Sequence, residues 1–184
     1  MRPSTRRPAP MILLLATLLA GPAAAQDAPP ARPQDVESLD AIIAALYDVI
    51  SGPAGEQRDW QRFHSLFVPG ARLIPTGMSE DGEVRHRVMT AADFVTTSGA
   101  IMEERGFFER EIGRTTERFG NIAHVFSAYD SKNTPEDAEP FARGINSIQL
   151  LHDGARWWVV TIFWDSERAG NAIPARYLGT GRHP

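Results

Sequence analysis

The chain has 184 residues, with 19 Lys and Arg against 23 Asp and Glu and no cysteine. Without cysteine there are no disulfides, no thiol nucleophile and no cysteine-ligated metal, so stability must come from a packed core. An acidic balance with no basic run argues against nucleic acid or an anionic membrane surface as a partner.

Arg2, Arg6 and Arg7 precede an uncharged run, Met11 to Ala20, and then the small residues Gly21-Pro22-Ala23-Ala24-Ala25. This is the pattern of a secretory signal cut after Ala25, and it sends the protein to the periplasm or outside the cell. The run is about half the roughly twenty residues that a spanning helix needs, so no stable membrane anchor is expected. Thr5-Arg6-Arg7 leaves the general and twin-arginine export routes both open. Cleavage leaves 159 residues with 16 basic against 23 acidic side chains, moving the formal charge from -4 to -7. That length is one domain with a proper core. Residues 26–34, rich in Ala and Pro, read as a disordered lead-in, 35–168 as the domain and 169–184 as a C-terminal tail.

Val36, Leu39, Ile42, Ile43, Leu46, Tyr47 and Ile50 recur at spacings of three and four, which predicts one amphipathic helix ended by Gly52-Pro53. Asp59 caps a second, short helix carrying Trp60, Phe63, Leu66 and Phe67 on its apolar face and stopped by Pro69-Gly70. Arg72 to Thr76 and Glu83 to Met89 read as short strands. Thr90 caps a third helix, with Phe94, Val95, Ile101 and Met102 as its buried face, that runs to Arg105 before Gly106.

Everything after Gly106 reads as strand. Phe107 to Phe119 carries charges at alternate positions, Gly120-Asn121 turns the chain, and Ile122 to Ser131 alternates again. Gly144 to Leu151 and Trp157 to Trp164 form a hairpin about Asp153-Gly154. In the last strand Trp157, Val159, Thr161 and Phe163 would share one face and Trp158, Val160, Ile162 and Trp164 the other. Both faces are apolar, so the sheet needs helices on one side and other cover, expected from a second subunit in a homodimer, on the other. The fold class is α+β, three N-terminal helices packed on a curved antiparallel sheet.

This element order, with Asp59-Trp60, Phe67-Val68-Pro69-Gly70-Ala71-Arg72-Leu73 and Arg156-Trp157-Trp158-Val159, resembles the nuclear transport factor 2-like (NTF2-like) superfamily. That cone-shaped fold is shared by SnoaL-like polyketide cyclases and ketosteroid isomerase. Ala123 to Tyr129, Arg143 to Leu150 and Trp164-Asp165-Ser166-Glu167 are similar to an exported bacterial subgroup without assigned activity. The resemblance implies a pocket between the concave sheet face and the helices. It puts Tyr47 about where the isomerases carry an oxyanion-stabilising tyrosine. Their general base would fall in Leu73 to Gly77, where this chain reads Leu-Ile-Pro-Thr-Gly and offers no carboxylate.

Four residues are candidates for the pocket: Tyr47, His124, Asn146 and Trp164. Tyr47 can donate to a carbonyl, His124 can titrate near neutral pH, and Asn146, an amide between Ile145 and Ile148, must find partners if buried. Ser147 and Gln149 lie on the face opposite Asn146, and either set can line the pocket. A two-residue turn at Asp153-Gly154 would bring Arg143 across from Trp164, stacked on the indole and paired with Glu167. No histidine pair has metal-ligand spacing, and neither a metal nor a cofactor is expected. The leading expectation is a binding domain for a small, mostly apolar molecule. A cofactor-free cyclase, dehydratase or isomerase using Tyr47, His124 or Asn146, and a protein-interaction module, are the alternatives.

Overall fold

The computed structural model describes residues 29–179. The expected signal sequence and cleavage point, the first residues of the expected lead-in and the end of the tail lie outside the described residues.

The expected first helix is broken. A single turn, α1 (Pro33–Val36), is followed by α2 (Leu39–Ile50). The break falls at Ser38, whose hydroxyl accepts the Ala41 N–H at 3.0 Å and so starts a new helix. Arg62 of α3 (Trp60–Ser65) clips the pieces together, donating to both Asp35 oxygens at 2.7 and 2.9 Å and also to Asp48. Ile42, Ile43, Leu46 and Val49 of α2 are buried, each worth about 1.5 to 3 kcal/mol.

Asp59 caps α3 as expected, but that helix ends at Ser65 and Phe67 already opens a strand, β1 (Phe67–Met78). Pro69-Gly70 does not stop the helix. It sits where the pairing register of β1 shifts between Phe67 and Arg72, and a bulge is one of the few places where a strand tolerates both residues. β2 (Val84–His86) pairs antiparallel with the end of β1.

The third helix starts at Thr90 in a reciprocal capping box with Asp93. It runs as α4 (Ala91–Phe94), a π-helical segment (Val95–Gly99) and α5 (Ala100–Arg105). Thr96 and Thr97 hydroxyls bond back to the Ala92 and Asp93 carbonyls, and the wider π turn shifts the phase of the helix beyond it. Ile101, expected on the buried face, is therefore 51 % exposed, while Ser98 and Met102 turn inward.

β3 (Phe108–Phe119), β4 (Ile122–Lys132), β5 (Ala142–His152) and β6 (Trp157–Ser166) form an antiparallel meander, and the full sheet order is β2-β1-β6-β5-β4-β3. The sheet is curved and open. It is mixed rather than wholly antiparallel, because β1 pairs parallel with β6. The helices cover one face. On that face β4 presents Ala123, Val125, Ser127, Tyr129 and Ser131, all buried.

The β5–β6 turn spans four residues, Asp153 to Arg156, since His152 pairs with Trp157. Asp153 closes it by accepting from the Ala155 and Arg156 amides and from Trp158 Nε1. A bulge at Val160 then flips the alternation of β6: Trp157 and Val159 face the core, and so do Ile162 and Trp164 beyond it. The expected two-face assignment of β6 fails at that residue. Asn146 consequently pairs with Trp164, and Arg143 meets Glu167 at 2.9 Å instead of stacking on Trp164.

The outer sheet face is covered in part by the chain's own C-terminal segment. Ile173 is buried with its N–H donated to Glu167, and the Tyr177 ring lies 5.0 Å from Phe126. Gly113 makes the approach possible, because a Cβ there would sit 2.2 Å from the Tyr177 carbonyl oxygen. Phe163 on the same face is still 46 % exposed.

Candidate functional site

Between the helices and the concave sheet face lies a cavity of about 290 Å³, at the small end of the ~300 to 1,000 Å³ typical of small-molecule sites. The α2 side contributes Leu46, Tyr47 and Ile50, α3 adds Phe63, and the third helix adds Phe94, Ser98 and Met102. Ile148, Ile162 and Trp164 form the sheet wall, with Trp164 edge-on to Phe94 at 6.4 Å. Phe141, which lines the cavity and is 55 % exposed, marks its mouth.

The polar groups gather at the β3–β4–β5 end. Glu109, Tyr129, Ser131 and Asn146 line the cavity there, and register explains why: Glu109 stands opposite Ser131, Tyr129 opposite Gly144 and Asn146 opposite Ser127. Directly opposed residues in antiparallel strands share a face. Ser131 donates to Glu109 Oε2 at 2.8 Å, and Asn146 Nδ2 donates to Tyr47 Oη at 3.2 Å. Ser51 ties this end to α2, donating to the Tyr47 carbonyl at 2.7 Å and accepting the Glu109 N–H at 3.0 Å. Thus the loss of one hydroxyl, Ser51, would loosen both polar walls at once.

Burial dominates the electrostatics. It pushes the Glu109 carboxyl up to about 7, with the nearby Asp130 charge adding to the rise and hydrogen bonds from Ser131 and Asn146 opposing it. Burial first, and then the Glu109 charge, raise the Tyr47 phenol far above its ordinary value, so Tyr47 stays protonated. Glu109 has no ion-pair partner among the described residues, unlike Asp130, whose carboxylate is held by Arg110 at 2.9 and 3.0 Å.

Three of the four candidate residues, Tyr47, Asn146 and Trp164, lie together in the cavity wall. His124 does not join them. Alternation along β4 puts Val125 in the core and turns His124 to the outer face, where its Nε2 lies 3.0 Å from Ser147 Oγ. The same alternation places Asn146 inside and Ser147 outside. Sequence reading missed Glu109, a carboxylate in the cavity wall on β3. Among the described residues no group of three metal-ligating side chains occurs, and no helix is long and apolar enough to cross a membrane.

Helices laid over one face of an open curved sheet, with a β1–β6 parallel pair and the meander β3 to β6, are consistent with the NTF2-like cone fold. The chain is similar to an NTF2-like protein of unknown function from Silicibacter pomeroyi, at 17 % identity over 71 % of this chain and 94 % of that one, with a TM-score of 0.44. It is similar to another from Methylobacillus flagellatus, at 14 % identity over 71 % and 95 %, with a TM-score of 0.46. A third, from Shewanella baltica, is 12 % identical over 71 % and 98 %, with a TM-score of 0.39. No family model and no curated protein matches the chain.

Proposed function

We propose that the chain, exported and freed of residues 1–25, binds a small, mostly apolar molecule in the cone cavity, with the polar group of that molecule held at the Glu109, Tyr47 and Asn146 end. The observation that carries this is the division of the wall. Aromatic and aliphatic side chains line most of it, while the carboxylate, the amide and the two tyrosines gather at one end, where Ser131 and Ser51 hold Glu109. Such a wall gains affinity from burial and orientation from a few polar contacts. The unfilled interior favours this reading over an interaction module with a packed core.

Native mass spectrometry of protein taken from its own periplasm tests both halves. The expected spectrum shows a chain beginning at Gln26 with a retained molecule that is released on denaturation. A spectrum holding only the bare polypeptide, before and after supplying periplasmic extract, would count against binding.

A second reading has its own observation. Glu109 changes protonation near neutral pH at the wall of an apolar cavity, which is what a general acid or base requires. A cofactor-free isomerase, dehydratase or cyclase would then use Glu109 to move the proton and Asn146 or Tyr47 to orient the substrate. A homodimer through the uncovered part of the outer sheet face, around Phe163, belongs to the same proposal. Light scattering is expected to give twice the mature mass at micromolar concentration, and a monomer mass would remove the dimer.

A further inference from the structure

A phenol on α2 in the wall of this cavity could donate a hydrogen bond to a ligand carbonyl, yet the Tyr47 proton is already committed. The commitment is set two residues behind the wall. Glu111 takes Arg114 Nε on Oε2 at 2.8 Å and Ser127 Oγ on Oε1 at 2.5 Å. An ion-paired carboxylate only accepts, so the one hydroxyl hydrogen of Ser127 goes to Glu111. Ser127 Oγ lies 2.7 Å from Tyr47 Oη and has no hydrogen left to give, so it accepts from Tyr47. Were the phenol hydrogen turned elsewhere, two oxygens would face each other at that distance with nothing between them.

The chain of direction therefore runs from Asn146 Nδ2 to Tyr47, from Tyr47 to Ser127 and from Ser127 to Glu111. Neither Ser127 nor Glu111 lines the cavity. What the cavity meets is the oxygen of Tyr47, stripped of its donor, beside Glu109. Of the Glu109 oxygens, Oε2 accepts from Ser131, and among the described residues no arginine or lysine pairs with either. Beside the Asn146 amide and the Tyr129 hydroxyl, the Tyr47 oxygen and the Glu109 carboxylate stand as acceptors.

We propose that the ligand presents an N–H or O–H donor to the Tyr47 and Glu109 oxygens, so that the site selects apolar molecules carrying a hydroxyl or a protonated amine over those carrying only a carbonyl or ether. This rests on the cavity being a small-molecule site, as proposed above. Phe63, Phe94 and Trp164 in the wall suit an arene and also suit an ammonium group.

The experiment uses three naphthalene probes that differ by at most one non-hydrogen atom, titrated into the full mature protein at pH 8: 2-naphthol, 1-naphthylmethylamine and 2-methoxynaphthalene. At least one donor probe is expected to bind tenfold or more tightly than 2-methoxynaphthalene. Preference for 2-naphthol identifies a neutral hydroxyl as the recognised group, and preference for the amine identifies an ammonium. In Ser127→Ala the phenol hydrogen is free to swing into the cavity, so the donor-to-ether ratio should fall at least threefold while the ether itself binds more tightly. Should Ser127→Ala fail to fold, Tyr47→Phe keeps the ring, deletes the acceptor and should lower the same ratio. Equal binding of all three probes by the unaltered protein, or a ratio unmoved in both variants, overturns the inference and leaves the binding function standing. Binding of none of the three overturns both.

Discussion

Glu109→Gln should make the protein more stable above pH 7 while leaving it nearly unchanged at pH 5. An acid whose folded value is raised to about 7 from an unfolded 4.5 holds its proton in the native state over a range where the unfolded chain has released it. Stability is then full at acid pH, declines as pH rises through the unfolded value, and reaches its full loss once the folded value is passed. The gap is worth about 3 kcal/mol. Glutamine matches the carboxyl in shape, still accepts from Ser131 and carries no charge to desolvate, so the variant should show a flat profile over this range. Melting curves of both proteins at half-unit steps from pH 5 to 8.5 provide the measurement. A native profile with no fall between pH 5 and 8, or a glutamine variant that is never the more stable of the two at pH 8, would mean that Glu109 is an ordinary solvated acid.

The reason Glu109 escapes a sequence reading is a single bulge. The Gly120-Asn121 turn pairs Phe119 with Ile122. Counting back from that pair would set Glu109 against Lys132 on the outer face, a plain surface ion pair. The register slips by one at Ile112, between Glu111 and Gly113, and Glu109 falls opposite Ser131 on the inner face instead. Nothing in the alternation of charges along Phe107 to Phe119 announces the slip. Val160 does the same to β6. By contrast Tyr47 was legible, because a helix of regular period fixes its face, and so was Asn146, because one amide among Ile145, Ile148 and Leu150 stands out wherever the strand is buried. His124 lacks a frame in the sequence that would assign it to one face. Without knowing that Val125 is the core residue, neither face of β4 is preferred, because the inward set includes the polar Ser127 and Ser131. The helix–helix–strand order and the positions of Asp59 and Thr90 as caps were legible from local chemistry alone, whereas the parallel β1–β6 pair depends on contacts far apart in sequence.

Arg58→Met should be the most destabilising single change on the helical side, lowering stability by on the order of 4 kcal/mol. Arg58 is 5 % exposed and, among the described residues, has no carboxylate side chain against its guanidinium. Its five N–H groups go instead to main-chain carbonyls: Ile50 at 3.2 Å, Pro53 at 3.3 Å, Glu56 at 2.5 Å, Met102 at 3.4 Å, and Gly52. These carbonyls lie at the end of α2, in the loop beyond it and in a turn of α5; Gly52 O also accepts from the Phe107 amide and Pro53 O from the Glu56 amide, which leaves Ile50, Glu56 and Met102 as the ones that depend most on the arginine. Gly52 leaves room for the arrangement, since a Cβ there would lie 2.7 Å from the guanidinium carbon. Removing the fork leaves several buried acceptors unsatisfied at ~1 to 3 kcal/mol each, partly relieved by water entering the space. Lysine cannot repair this, because a point charge with three donors on one atom does not span carbonyls on three segments, so Arg58→Lys should recover less than half of the loss. For a domain of this size the methionine variant should melt on the order of 10 °C lower. Local consequences reach the cavity, which Ile50, Met102 and Phe107 help to line. The Gly52 and Phe107 amides, which donate to each other's carbonyls at 2.8 and 3.0 Å, should exchange with solvent much faster in Arg58→Met than the Ile148 amide in the sheet centre. Uniform acceleration at all three amides would mean that the arginine supports global stability only, and a melting temperature within about 2 °C of the unaltered protein would mean that the carbonyl fork is not what holds α2 to α5.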